Sequence, residues 1–95
     1  MAKGYWVVNV ETSDPVAYAT YQAFVGPYLA SRGGTFLTRR GQRVVKEGNA
    51  RARTVVIEFP SYAEAVAAYE DPEYQEGRKL RTAISSTDFA IIEGD

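Results

Sequence analysis

The stretch TVVIEFPSYAEAVAAYEDPEYQ, Thr54–Gln75, changes its period at one proline. Before Pro60 the chain alternates, with Val55, Ile57 and Phe59 on one side and Thr54, Val56 and Glu58 on the other, which is the two-residue repeat of a strand. After Pro60 the apolar residues Tyr62, Ala65, Val66 and Tyr69 recur every three or four residues, as in a helix with one buried stripe. Ser61 and Glu64 stand at capping-box spacing, where hydroxyl and carboxylate each satisfy an orphan N–H. Asp71-Pro72 restarts the helix, the aspartate as cap and the proline at the first helical position, and a shorter second helix runs to about Leu80–Ala83. Glu64 and Asp71 thus have structural work, while Glu70, Glu73 and Glu76 read as solvated.

Working outward, RARTVVIEF (Arg51–Phe59) and TFLTRRGQRVVK (Thr35–Lys46) read as two strands joined by a turn at Glu47-Gly48-Asn49-Ala50. Upstream, Asp14-Pro15 starts a helix whose buried face carries Tyr18, Tyr21, Val25 and Tyr28 or Leu29. Gly26-Pro27 predicts a kink or brief break in it, and Gly33-Gly34 its stop. GYWVVNVE (Gly4–Glu11) alternates an apolar Trp6, Val8, Val10 face with a mixed Tyr5, Val7, Asn9, Glu11 face. Ser86–Gly94 closes the chain as a last strand.

The order β-α-β-β-α-β predicts an α+β, ferredoxin-like fold: one domain over 1–95, with both helical layers on one face of a four-stranded antiparallel sheet. The other face carries Tyr5, Val7, Val56 and one side of the last strand. That is too apolar to leave in water, so a second copy is expected to cover it, giving a homodimer.

Composition removes several chemistries. The chain has no cysteine and no histidine, so a disulfide framework, a thiolate nucleophile, a cysteine zinc site and an imidazole base are all excluded. No apolar run approaches the ~20 residues that span a bilayer, and no signal-peptide pattern precedes the first strand. A cytoplasmic protein without a membrane partner is expected. Net charge is −1, yet Arg39, Arg40, Arg43, Lys46, Arg51 and Arg53 cluster with only Glu47 against them, while Glu58 to Glu76 holds six acids and no base. This reads as two solvated surfaces of opposite sign. The basic segment lacks interleaved aromatics for base stacking, so nucleic acid is not expected as a partner. The acids lack metal-ligand spacing, and no phosphate-loop, dinucleotide or nucleophile-elbow motif occurs. No metal and no cofactor are expected.

KGYWVV at the start, DPVAYATY, GGTFLTRRG, VVIEFPSYAEAVAAYEDPEYQ and the KLR after it resemble the DUF1330 family over essentially the whole chain. The resemblance implies a small bacterial protein with a dimeric α/β-barrel, ferredoxin-like fold. It brings no catalytic assignment. Tyr5, Asp14, Arg39, Glu58, Tyr74 and Arg81 match the family pattern. The chain departs from that pattern at Arg39-Arg40-Gly41, where the family has an Arg-Gly-Gly turn, and at NARAR, where it often has Trp and Pro.

Glu58 is the sharpest candidate for a catalytic role: a carboxylate within TVVIEF, facing an interface between sheets, would be desolvated and able to act as acid or base. The alternative is a structural glutamate paired with arginine. Arg39 could bind a carboxylate or phosphate as a bidentate fork, or latch Glu58 within a subunit or across the dimer; a one-residue slip would exchange it with Arg40. Tyr5 and Asn9 share a strand face and could line the same cavity, with Asn9 orienting a ligand carbonyl; each could equally be a satisfied polar residue at the interface. Tyr74 could reach a pocket with its hydroxyl or pack in the core. Two functions follow: a small organic molecule bound or transformed at the sheet and dimer interface, or a non-catalytic homodimeric module that binds a metabolite or protein.

Overall fold

The computed structural model describes residues 2–95. Strand β1 (Gly4–Thr12) leads to helix α1 (Pro15–Ser31), then to strands β2 (Thr35–Thr38) and β3 (Arg53–Phe59). Helices α2 (Tyr62–Glu70) and α3 (Pro72–Thr82) follow, and strand β4 (Ser85–Glu93) ends the chain. Each helix begins where a cap was legible. Asp14 accepts from the Ala17 N–H at 3.0 Å, Ser61 from Glu64 at 3.2 Å and Asp71 from Glu73 at 2.8 Å, with Pro15 and Pro72 opening α1 and α3. Gly33, at φ +78°, ends α1, and the Gly34 N–H returns to the Leu29 carbonyl at 2.8 Å.

The four strands form one antiparallel sheet in the order β2-β3-β1-β4. Along β1, Tyr5 lies between Glu58 and Ile92, Trp6 between Ile57 and Ile91, and Asn9 between Thr54 and Asp88. Alternation therefore sends Trp6, Val8, Val10, Val55, Ile57 and Phe59 toward the helices, where all six are buried. Tyr5, Val7, Asn9, Thr54, Val56 and Glu58 line the uncovered face and are half-buried. This is the expected α+β, ferredoxin-like arrangement. Among the described residues no helix is long and apolar enough to cross a membrane.

Trp6 sits at the centre of the core, 1% exposed. Its indole N–H donates to the Ala65 carbonyl at 2.8 Å, fixing α2 to the sheet, and its ring lies 5.1 Å from Phe59, 5.1 Å from Tyr74 and 5.0 Å from Phe89. Such aromatic pairs contribute about 0.5–1.5 kcal/mol each beyond burial. The Tyr28 hydroxyl donates to the Ala68 carbonyl at 2.8 Å and ties α1 to α2. Gly77 of α3 approaches Phe24 of α1 so closely that a Cβ there would overlap the ring.

Three expectations need correction. α1 continues through Gly26-Pro27 without a break. Pro27 is exposed, so the Ala23 carbonyl that loses its donor there can turn to water. β2 stops at Thr38 rather than Lys46, and β3 starts at Arg53 rather than Arg51. The register slips between Phe36 and Thr38, and the Thr38 hydroxyl takes the Val56 N–H at 3.0 Å. Arg43 then donates to the carbonyls of Ala50 at 2.8 Å and Arg51 at 2.7 Å, so side chains serve backbone groups that a longer ladder would have paired. Finally, the buried stripe of α2 is Ala65 and Ala68, with Tyr62 42% exposed, because small residues let this helix lie directly over Trp6.

Candidate functional site

The five residues singled out in the sequence fall on two sides of the sheet. Tyr5 and Glu58 are direct cross-strand neighbours on the uncovered face, and the Tyr5 hydroxyl donates to Glu58 Oε2 at 3.2 Å. Burial raises the Tyr5 pKa, and its bond to the Glu58 carboxylate raises it further. Glu58 makes no ion pair among the described residues, so the latch to Arg39 is not formed within the chain. Asn9 lies on the same face and accepts from the Thr54 hydroxyl at 2.6 Å, while Thr54 in turn accepts from Arg43 at 2.9 Å. Asn9 is thus engaged within its own chain.

Tyr74 belongs to the opposite side, and Arg39 stands at the sheet's edge. Arg39 stacks its guanidinium over the Phe36 ring at 4.2 Å, at the edge of the helix-facing layer. Tyr74 is fully buried, and its hydroxyl lies 2.9 Å from that of Tyr21. The structure therefore brings Tyr5, Asn9 and Glu58 onto one face and separates them from Tyr74, while Arg39, past the end of β2, borders spaces on both sides of the sheet.

A cavity of about 100 Å³ opens between α1 and the helix-facing side of the sheet. Its floor is apolar, formed by Trp6, Val8, Val10, Val55 and Ile57, with Phe36 and Phe89 at its flanks. α1 contributes Tyr18, Tyr21 and Gln22 to the wall. Arg39 and Arg40 come from the chain just after β2, Arg53 from the first position of β3, and Arg81 reaches in from the last turn of α3. Among the described residues no carboxylate lines this space.

Arg81 is the unusual member. It is only 5% exposed, yet it has no acidic partner within ion-pair distance among the described residues. Its Nη2 donates to the Tyr74 hydroxyl at 3.3 Å and its Nη1 to the Thr87 hydroxyl at 3.4 Å. The guanidinium also lies over the Tyr21 ring at 5.6 Å and the Phe89 ring at 5.7 Å. Burial works against its charge, and the hydroxyls of Tyr74 and Tyr21 more than offset this, so Arg81 remains cationic. A guanidinium has five N–H donors, and neutral hydroxyls do not neutralise its charge.

The tyrosines are correspondingly held neutral. Burial pushes the Tyr21 hydroxyl well above the usual tyrosine range, and the neighbouring Tyr74 adds to that push. Tyr18 is also raised by burial, with Arg53 and Arg81 partly opposing the shift. The Arg53 guanidinium lies 5.8 Å from the Tyr18 ring. At neutral pH the lining thus offers positive charge and hydroxyl donors, and no proton acceptor of carboxylate strength. Such a lining recognises an anion or polarises a carbonyl oxygen. Among the described residues no group of three or more acidic, histidine or cysteine side chains could hold a metal ion.

Arg53, Tyr18 and Tyr21 were not candidates from sequence, and Arg81 entered only as a position shared with a family. A signal for Arg81 was present. Tyr74, Gly77 and Arg81 are the buried residues of α3, at i, i+3 and i+7, so the arginine shares the inward stripe.

Residues 3–95 match the family model DUF1330, described as a domain of unknown function. The crystal structure of RPA0582, a protein of unknown function from Rhodopseudomonas palustris, is similar at TM-score 0.72 and 22% identity, covering 96% of this chain and 81% of that one. The structure of methylated RPA0582 protein is similar at TM-score 0.73 and 21% identity, covering 99% of this chain and 82% of that one. At these identities the likeness establishes the fold alone. A comparison with curated proteins finds no match.

Proposed function

Because this chain belongs to the DUF1330 family, whose membership names no reaction, we propose a function from the cavity itself: a module that binds a small organic anion between α1 and the sheet. The observation that carries this reading is Arg81, 5% exposed and without a carboxylate partner, lining a cavity with an apolar floor. A buried cation left without a counter-charge costs several kcal/mol, and an incoming carboxylate would meet that need with a bidentate bond. An apolar cavity of about 150 Å³ holds benzene, so the roughly 100 Å³ here suits the charged end and short chain of a small acid.

Binding is favoured over catalysis because the lining supplies donors and no base. Glu58, the expected acid or base, lies on the other side of the sheet from this cavity and takes no part in it. The test is calorimetry with butyrate and its neutral isostere butyramide. Binding of butyrate but not butyramide, lost in Arg81→Met, supports the reading; no heat with butyrate would end it.

A second copy of the chain covers the other face. What supports this is the apolar row of Val7, Val56 and Ala90, opposite one another on that face, with Ile92 49% exposed beside them. Sedimentation at tens of micromolar tests it: a dimer that Val56→Arg turns into a folded monomer is expected, and a monomeric parent protein would refute it.

A further inference from the structure

Arg81 is not the only cation at the cavity. Arg39, Arg40 and Arg53 border the same space, and no carboxylate opposes any of the four within ion-pair distance among the described residues. Their burial is graded: Arg39 and Arg40 are exposed, Arg53 is half-buried, and Arg81 is nearly inaccessible. The inner and middle guanidiniums are joined through aromatic rings. Arg81 lies over Tyr21 at 5.6 Å, the Tyr21 and Tyr18 rings are 5.5 Å apart, and Arg53 lies 5.8 Å from Tyr18. The apolar residues of β1 and β3 fill the floor between them.

One monoanion at Arg81 would leave Arg53 and the two outer arginines repelling one another over a low-dielectric floor, where charge interactions are screened less than in water. Planar guanidiniums match carboxylate geometry, and two of differing burial on one apolar-floored cavity favour a ligand that carries two charges.

We infer that the ligand is a short dicarboxylate, with one carboxylate on Arg81, its few-carbon chain along the Val8–Val55 floor, and its second carboxylate on Arg53 at the mouth. This rests on the anion-binding reading above and adds the second charge to it. Arg39 and Arg40 act on the second carboxylate from the solvent side, raising the rate of capture more than the strength of holding.

Calorimetric titration of the full chain with succinate and with butyrate, equal in carbon number, at one ionic strength and pH 7, tests the inference. Succinate is expected to bind about tenfold tighter or more, the worth of one charge-assisted hydrogen bond. In Arg53→Gln, which removes a half-buried rim residue, succinate should lose about tenfold or more and its advantage over butyrate should vanish, butyrate itself falling by the smaller amount that one lost lining charge causes. Arg81→Lys keeps charge without the planar fork and should weaken both. Equal affinities for the two acids in the parent protein, or an equal loss of both in Arg53→Gln, would overturn the dicarboxylate and leave the anion site standing. Absence of binding by either acid would overturn the anion site itself, and the dicarboxylate with it.

Discussion

Arg81 donates to the Tyr74 hydroxyl at 3.3 Å from a position where water barely reaches it, and among the described residues no carboxylate stands within ion-pair distance of it. A charge kept this way is a poor device for stability. Replacing a buried ionic group by an apolar side chain of similar length is often neutral or stabilising. Tyr74 would retain the Tyr21 hydroxyl as partner. Arg81→Met is therefore expected to leave the unfolding free energy in urea unchanged or to raise it by about 1–4 kcal/mol, while removing anion binding. A loss of about 3–5 kcal/mol would instead identify Arg81 as part of the scaffold.

Glu58 invites the converse expectation. Among the described residues its hydrogen-bond partner is the Tyr5 hydroxyl at 3.2 Å, directly opposite on the neighbouring strand of a half-buried face. Glu58→Gln keeps an acceptor for that hydroxyl, so stability should change by no more than about 1 kcal/mol. Butyrate affinity should not change at all, since the cavity lies on the other side of the sheet. A Glu58→Gln protein that lost anion binding would show the two faces to be coupled.

Alkaline titration should expose the buried hydroxyls. Tyr21 and Tyr18 both have raised pKa values in the folded chain, burial being the main cause. A group held protonated in the fold favours folding fully below its unfolded pKa, about 10 for tyrosine, and that contribution is lost as pH rises above it. Melting temperature should therefore be flat up to about pH 10 and fall beyond it. Absorbance of ionised tyrosine should show Tyr21 ionising only as the protein unfolds. Tyr21→Phe should soften the alkaline fall. A Tyr21 that ionises freely in the native state would contradict the enclosed cavity wall.

Gly77→Ala tests the contact between α1 and α3. The added methyl would meet the Phe24 ring with no room to spare. Overpacking of this kind costs typically about 1–3 kcal/mol, although alanine is the better helix former. Combining Gly77→Ala with Phe24→Leu should recover part of the loss, a coupling that two independent sites would not show. Thermal unfolding of the four proteins decides it.

Much of the frame was readable because its signals are local. Asp14-Pro15, Ser61 and Asp71-Pro72 each mark a helix start within three residues, and the alternation of Trp6, Val8 and Val10 needs no knowledge of a partner strand. The end of β2 was not readable in this way. RRGQRVVK continues a strand-like pattern, and only the folded loop shows Arg43 bonding back to Ala50 and Arg51. The cavity was illegible for a related reason. Its four arginines stand at 39, 40, 53 and 81, and what unites them is the sheet order and the docking of α3 beside β4. Arg81 reads as an ordinary cation near a helix end until its neighbours on the inward stripe are considered. Glu58 drew notice because a charge within an apolar strand is conspicuous in sequence, whereas a buried cation within a polar helix is not.

The short, bulged β2 has a consequence for how the sheet meets other chains. A strand of four residues with a slipped register leaves few consecutive backbone donors and acceptors to align an incoming strand. The opposite border, β4, runs nine residues. The sheet is thus sealed along one margin and extendable along the other. In crowded refolding, recruitment of stray β segments should begin beside β4, where Asp88 and Glu93 are the charged residues that deter it.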